Sequence, residues 1–491
     1  MSEIKFERII IVIALFIYLI TVINSSGYYH PDEHYQIIQF AEYKSGKIDV
    51  NELPWEYNEK IRSGIQPLLC LIIFKALNFF NIYNPHHLVL FLRLITGAFS
   101  FFSIGIFIRS FKRLVEKRFY GIYILLSYFL WFLPNINVRF SSETWSGIFI
   151  LLSVATAIEI NGKSNKRNIS LGISLGLAVL FRYQTALVAF GICSWLLLIK
   201  KETLNSLLLI CSSVIAILGV GVIVDRWLYG EFTLTIYNYF NVNILHSVAS
   251  NFGTSPWYEI MIYIITSPTL PLGILIATSL FIIIIKCPKS IVLWATVPFL
   301  VVHSIIPHKE LRFLFPLVNL IPICIIIGLQ QIKSLNFSVY FIYPFIFILT
   351  VCNTFGLIIN SIKSTRRGET KISEYIYNNF KGKQVNVLTS FESNIYDPWT
   401  GSNNNFYKPS NVVTTEITSI WQPGILAKKK KNYINLIVIQ NSEITGALGL
   451  KKLKWMKAVK LVHNIPDFAF YPLYLYDSSI IDRQLNLYIL N

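Results

Sequence analysis

Charge is scarce in this chain. Asp, Glu, Lys and Arg make up 14% of its 491 residues, where a soluble globular domain carries about a quarter. With 54% hydrophobic residues gathered into long runs, the chain cannot cover a water-soluble globule, and it reads as a polytopic α-helical membrane protein. Acidic residues are scarcer still, 26 against 43 Lys and Arg, for a net charge of +17. Such an excess could point to nucleic acid, but no basic face emerges. The basic residues sit in short loops between apolar runs and in the C-terminal region, a pattern that reports topology and lipid headgroups and excludes a nucleic-acid partner. Cysteine is sparse too: Cys70, Cys193, Cys211, Cys287, Cys324 and Cys352 all lie in or beside apolar runs, and none lies beyond 352. That placement implies no disulfide framework. The first apolar run lacks a small-residue cleavage site before His30 and so reads as a retained helix instead of a leader.

What the chain has is apolar runs of crossing length. Spans are expected at 8–24, 88–108, 119–134, 144–160, 168–181, 184–199, 204–224, 264–285, 290–306, 313–330 and 336–360, about 11 in all. The run 66–80 is also apolar, and charge decides how to treat it. If it does not cross, the loops 109–118, 161–168, 200–203, 286–290 and 330–335 share the side of Lys5 and Arg8, and they hold thirteen Lys and Arg. The larger outer segments 134–143, 182–183, 225–263 and 307–312 then hold five. Counting 66–80 as a crossing would invert every later loop against the positive-inside bias, so it reads as surface-lying or re-entrant.

This topology places two charged motifs on one outer face. The first follows the opening span: Tyr28-Tyr29-His30-Pro31-Asp32-Glu33-His34. Pro31 suits a first helical position and the acids after it suit the helix dipole. A carboxylate at the membrane surface could equally serve as a general base. The spacing of His30 and His34 fits a metal pair on a helix, but no third ligand is fixed by the sequence, and a structural or substrate-contact role is favoured. The second motif, His308-Lys309-Glu310-Leu311-Arg312, packs four polar groups into a short loop between apolar runs. Interfacial snorkelling explains one such residue, not four, and charge beside a bilayer is usually functional. Lys and Arg so placed could hold a phosphate.

The stretch Pro307-His308-Lys309-Glu310-Leu311-Arg312-Phe313 resembles the His-Lys-Glu-x-Arg-Phe motif of glycosyltransferase family 22, membrane mannosyltransferases that use dolichyl-phosphate mannose. Further stretches are similar in the family's order. These are His30-Pro31-Asp32-Glu33; Trp55-Glu56-Tyr57 with Arg62 and Pro67; Asp225 to Gly230; and Asn238 to Asn243 followed by Phe252-Gly253-Thr254-Ser255-Pro256-Trp257. The likeness runs over about 8–360 and is nearest to the branch that acts third in GPI-anchor assembly. Ser255 stands where the family has His, Arg139 to Thr144 lacks the family's Asn, and Arg182-Tyr183-Gln184-Thr185 only approximates Arg-Pro-Thr. These departures leave the acceptor open.

The resemblance implies a GT-C type fold and an inverting transfer. An acceptor hydroxyl would attack C1 of a polyprenyl- or dolichyl-phosphate mannose to form an α-linkage. Its catalytic residues would be Asp32, as base, and Glu33, as a second base or positioning group. The donor phosphate would be held by His308, Lys309 and Arg312, with Arg62 and Arg182 as weaker candidates. Other substrate contacts would be His30, Glu310 (orienting Lys309 or Arg312), Trp55 and Trp257, the tryptophans serving either as sugar platforms or as membrane anchors. No cofactor beyond the lipid-linked donor is implied, and metal need is left open. Expected partners are membrane lipid, that donor, and a glycan or glycolipid acceptor. Two rivals stand: a related enzyme moving another sugar, such as aminoarabinose, from a lipid phosphate, and a transporter. Charges confined to one face and the lack of an inverted repeat weigh against transport.

From 361 the character changes. A helical pattern at 371–380 precedes strand-like runs at 384–388, 434–439, 458–463 and 470–476, the spacing of a small α/β domain on the outer face. Thr389 to Ser393 and Tyr396 are placed here as a cover for the catalytic cavity. The absence of cysteine from this part favours a bacterial inner membrane over the endoplasmic reticulum.

Overall fold

The computed structural model describes residues 3–159, 164–332, 339–396, 405–444, 447–462 and 481–490. The chain divides into two compact units. One comprises 1–21, 32–76 and 92–358, the other 22–31, 77–91 and 359–491.

The first unit is helical, and helix occupies every apolar run named above. Among the described residues, five helices are individually long and apolar enough to cross a bilayer: Lys5–Asn24, Pro85–Phe111, Leu204–Tyr229, Leu311–Gln331 and Tyr343–Ile362. The bent pair Leu270–Lys286 and Ile291–Ile305, turned through 114°, makes a sixth if it counts as one span. The remaining helices are shorter, and Ile65–Phe79 is one of them. Proline accounts for two departures from simple spans. The run 264–285 breaks between Glu259–Thr266 and Leu270–Lys286, where Pro268 and Pro271 remove backbone donors. The run 313–330 opens as a 3-10 helix, Leu311–Leu320, with Pro316 inside it, and becomes α-helical only at Ile321–Gln331.

Close packing comes from small residues. Gly172 and Gly176, four apart on Asn165–Phe181, face Leu204–Tyr229 so closely that a Cβ on Gly172 would lie 2.5 Å from the Ile210 carbonyl oxygen. This is how helices associate in lipid, where dispersion and shape replace the hydrophobic drive.

The second unit holds a five-stranded sheet of order β2-β1-β3-β5-β4, with β1 Val385–Thr389, β2 Val412–Glu416, β3 Ile434–Gln440, β4 Ala458–Val462 and β5 Leu485–Leu490. β1 pairs in parallel with β2 and β3, while β5 runs antiparallel to β3 and β4. Near-continuous apolar runs in β1 and β3 suit strands covered on both faces. Val385, Val387, Leu436 and Val438 pack with Ile372 and Ile376 of the helix Glu369–Asn379 on one face. Leu388, Ile437 and Ile439 pack with Ile420, Leu453 and Met456 on the other. The expected helix and three of the expected strands are present. β2 and β5 were not anticipated. The strand expected at 470–476 lies outside the described residues.

Candidate active site

Every side chain of the site described next belongs to the first unit. The helix after Pro31 begins at Asp32 and passes at once into a π-helical turn, His34–Ile38. Such turns widen a helix by one residue and often accompany function. Asp32 Oδ2 accepts a hydrogen bond from Arg312 Nη1 at 2.7 Å and lies 3.7 Å from Arg62 Nη2. Glu33 Oε2 is 3.4 Å from Arg139 Nη1. Arg312 is the hub of the cluster. Its Nε donates to Glu310 Oε2 at 2.5 Å, and its Nη1 is 3.5 Å from Glu143 Oε1. Arg182 Nη1 donates to the same Glu143 oxygen at 2.6 Å. Three carboxylates, of Asp32, Glu143 and Glu310, thus surround the one Arg312 guanidinium.

Other motifs act as scaffold for Arg62. Tyr229 donates through its hydroxyl to the Arg62 carbonyl at 2.7 Å. Asp225 Oδ1 accepts from the Gly64 amide at 2.7 Å, and its Oδ2 accepts from Thr235 Oγ1 at 2.6 Å. The Asp225–Gly230 turn therefore pins the loop that carries Arg62. Glu56, also expected in this stretch, accepts from Gln36 Nε2 at 2.8 Å. Burial pushes its carboxyl above the usual range, against the pull of Arg62.

These groups open onto a cavity of about 40 Å³ whose lining includes Asp32, Glu33, Arg62, Glu143, Arg182, Tyr183 and Tyr239. Arg62 lies over the Tyr239 ring, 5.9 Å from its centroid, and Arg182 over Phe313 at 5.2 Å. The Nε atoms of Arg62 and Arg182 are buried without a hydrogen-bond partner among the described residues. Two guanidiniums with donors in reserve beside one small cavity can accept an anion, and a carboxylate at the same cavity can accept a proton.

Of the residues expected at the site, Asp32, Glu33, Arg62 and Arg182 line this cavity, and Glu310 and Arg312 adjoin it through ion pairs. His308 and Lys309 do not line it. Lys309 Nζ donates to the carbonyls of Ser255 and Ile306 at 3.0 and 2.6 Å. His308 bridges the Gly253 carbonyl and Glu310, each at 2.9 Å. Both residues thus tie the 253–255 loop to the loop bearing Arg312. Trp55 stacks on Phe252 at 6.0 Å, and Trp257 stands exposed beside Tyr258. Neither tryptophan lines the cavity. His30 belongs to the second unit. Glu143, Arg139 and Tyr239 were not among the expected site residues. The first two are charges at the mouth of an apolar run, and that expensive placement was the available signal. Among the described residues, no group of three or more His, Cys, Asp or Glu is arranged to hold a metal ion.

Comparison with known proteins places this geometry in context. Residues 9–396 match the model of the Alg9-like mannosyltransferase family, which extends past the boundary near 360 drawn from the motifs. GPI mannosyltransferase 3 of Debaryomyces hansenii is 25% identical over 81% of this chain and 72% of its own length. The protein of the same description from Yarrowia lipolytica is 26% identical over 64% of this chain, and the chain spans only 60% of that relative. Among solved structures, ArnT from Cupriavidus metallidurans, crystallised with undecaprenyl phosphate, superposes with a TM-score of 0.54 at 11% identity, covering 99% of this chain and 98% of that one. That likeness supports the GT-C type architecture.

Proposed function

The chain belongs to the Alg9-like mannosyltransferase family, and on that premise we propose that it is an inverting mannosyltransferase moving mannose from a polyprenyl-phosphate mannose to a lipid-linked glycan or glycolipid, forming an α-linkage. The observation that carries this reading is the meeting of Asp32 with Arg62, Arg182 and Arg312 in one partly buried cluster at one cavity. In the proposed step the acceptor oxygen bonds to C1 as the bond from C1 to the phosphate oxygen breaks. Asp32 takes the hydroxyl proton, and the electron pair leaves on the phosphate. Arg62 and Arg182, whose Nε donors are in reserve, receive that phosphate, with Arg312 shared between it and Asp32. His308 and Lys309 act by holding the loop of Arg312, a role that their carbonyl partners support.

The remaining features follow the same reading. The protein is multi-pass, with about 11 crossings. Residues 25–87 form the first outer loop, the site is on the extracytoplasmic or lumenal face, and 361–491 form an outer α/β domain. A bacterial inner membrane is preferred to the endoplasmic reticulum. The test is direct: purified protein is given polyprenyl phosphates carrying mannose, glucose or aminoarabinose, with candidate acceptors, and labelled product is counted. Transfer of mannose supports the proposal. Transfer of another sugar alone establishes the rival transferase.

A further inference from the structure

The second unit carries a surface that the transfer reaction does not use. Between 421 and 462 the sequence has nine lysines, at 428–431, 451, 452, 454, 457 and 460, and one acid, Glu443. Four of the lysines are on or just after the helix Ala447–Trp455, which is anchored inward by Gly449 and Leu453. The next inward residue is the buried Met456. Its outward side is not polar, as a solvated helix would be. Leu448 is 71% exposed, Leu450 65% and Trp455 56%. Helical spacing puts Leu448, Lys452 and Trp455 in one stripe and Leu450, Lys454 and Lys457 in the next. Trp421, half exposed, completes the patch: Lys452 Nζ lies 4.3 Å from the Trp455 ring centroid and 5.8 Å from that of Trp421.

We propose that this helix and Trp421 form a docking surface for an anionic phospholipid bilayer. Exposed leucines and tryptophans among lysines are the composition of helices that lie in a membrane interface. Tryptophan prefers the headgroup level, and lysines there are drawn to anionic lipid. A neutral glycan would suit the two indoles but gives no reason for nine lysines against one acid. The same chain's crossing helices hold the unit permanently near a bilayer, so lipid is present at high effective concentration.

The test compares the full chain in nanodiscs of phosphatidylcholine with nanodiscs containing about 30 mol% phosphatidylglycerol, by hydrogen exchange. Amides of 447–457 should exchange about fivefold or more slowly in the anionic discs. Replacing Lys451, Lys454 and Lys457 by Glu should abolish that difference, while exchange of β3 stays as in the parent and reports an intact sheet. Equal exchange in the two discs overturns the proposal. So does protection by a soluble mannose oligosaccharide in phosphatidylcholine discs with none from phosphatidylglycerol, which would make the patch a glycan platform.

Discussion

Removal of Glu143 should harm stability more than removal of its partner Arg182, and the geometry says why. Both side chains are buried, 6% and 4% exposed, and they meet at 2.6 Å. Charges about 4 Å apart attract by about 4 kcal/mol at an effective dielectric of 20. In Glu143→Gln, Arg182 keeps only neutral acceptors, the glutamine amide oxygen and the Ser142 hydroxyl at 3.3 Å, so a buried cation is left uncompensated at ~3–5 kcal/mol. In Arg182→Met, Glu143 still has Arg312 at 3.5 Å, and the loss should fall nearer ~1–3 kcal/mol. The double variant removes both charges and should cost less than the sum, with a coupling on the order of 2 kcal/mol. Equilibrium unfolding in mixed detergent micelles, read by tryptophan fluorescence, measures all three. Additive losses, or a larger loss for Arg182→Met, would show that the pair is not held by this buried charge coupling.

Arg312→Lys keeps the charge but cannot reach Asp32 and Glu310 together as the guanidinium does; transfer should fall ~10–100-fold, and near-parent kcat/KM would show that the fork is dispensable. Glu42 is buried, and burial pushes its carboxyl from an ordinary 4.5 to about 7, against Lys47. The folded protein therefore holds this proton more tightly than the unfolded chain, and stability should fall by roughly 1.4 kcal/mol per pH unit between those two values and level off above. Glu42→Gln should erase that slope, and an unchanged slope in unfolding midpoints from pH 5 to 8 would contradict the assignment. Gly172→Val brings side-chain bulk against the Ile210 carbonyl and should lower stability by ~1–3 kcal/mol, where an unaffected unfolding midpoint would deny the close helix contact. Single cysteines placed in a cysteine-free background at 32 and 309 should react with an impermeant reagent from the same side of the membrane, and reaction from opposite sides would end the proposed topology.

The sequence disclosed the helical class readily, because each apolar run is long and bounded by charge. It disclosed the charged motifs for the same reason: Asp32 and Arg312 stand out against an apolar background. What it hid was partnership. Nothing in the spacing of 308–312 told that Lys309 turns to backbone carbonyls while Arg312 turns to Asp32, since the one choice depends on a loop 54 residues away and the other on a carboxylate 280 residues away. Glu143 was visible only within the 139–144 stretch that lacks the family's Asn, and its bond to Arg182 needed the fold. β5 was missed because Leu485 to Leu490 alternates weakly and is buried on both faces. Pro268 and Pro316 lie inside runs expected as single spans, 264–285 and 313–330, and the breaks they make were not anticipated.

The proposed transfer depends most heavily on Asp32 as the proton acceptor, and single-turnover kinetics reach that role directly. Single-turnover release of polyprenyl phosphate from labelled polyprenyl-phosphate mannose should slow ~10²–10⁴-fold in Asp32→Asn, with donor affinity near that of the parent because Arg62 and Arg182 remain. A rate within a few fold of the parent, in a protein that binds donor normally, would contradict it.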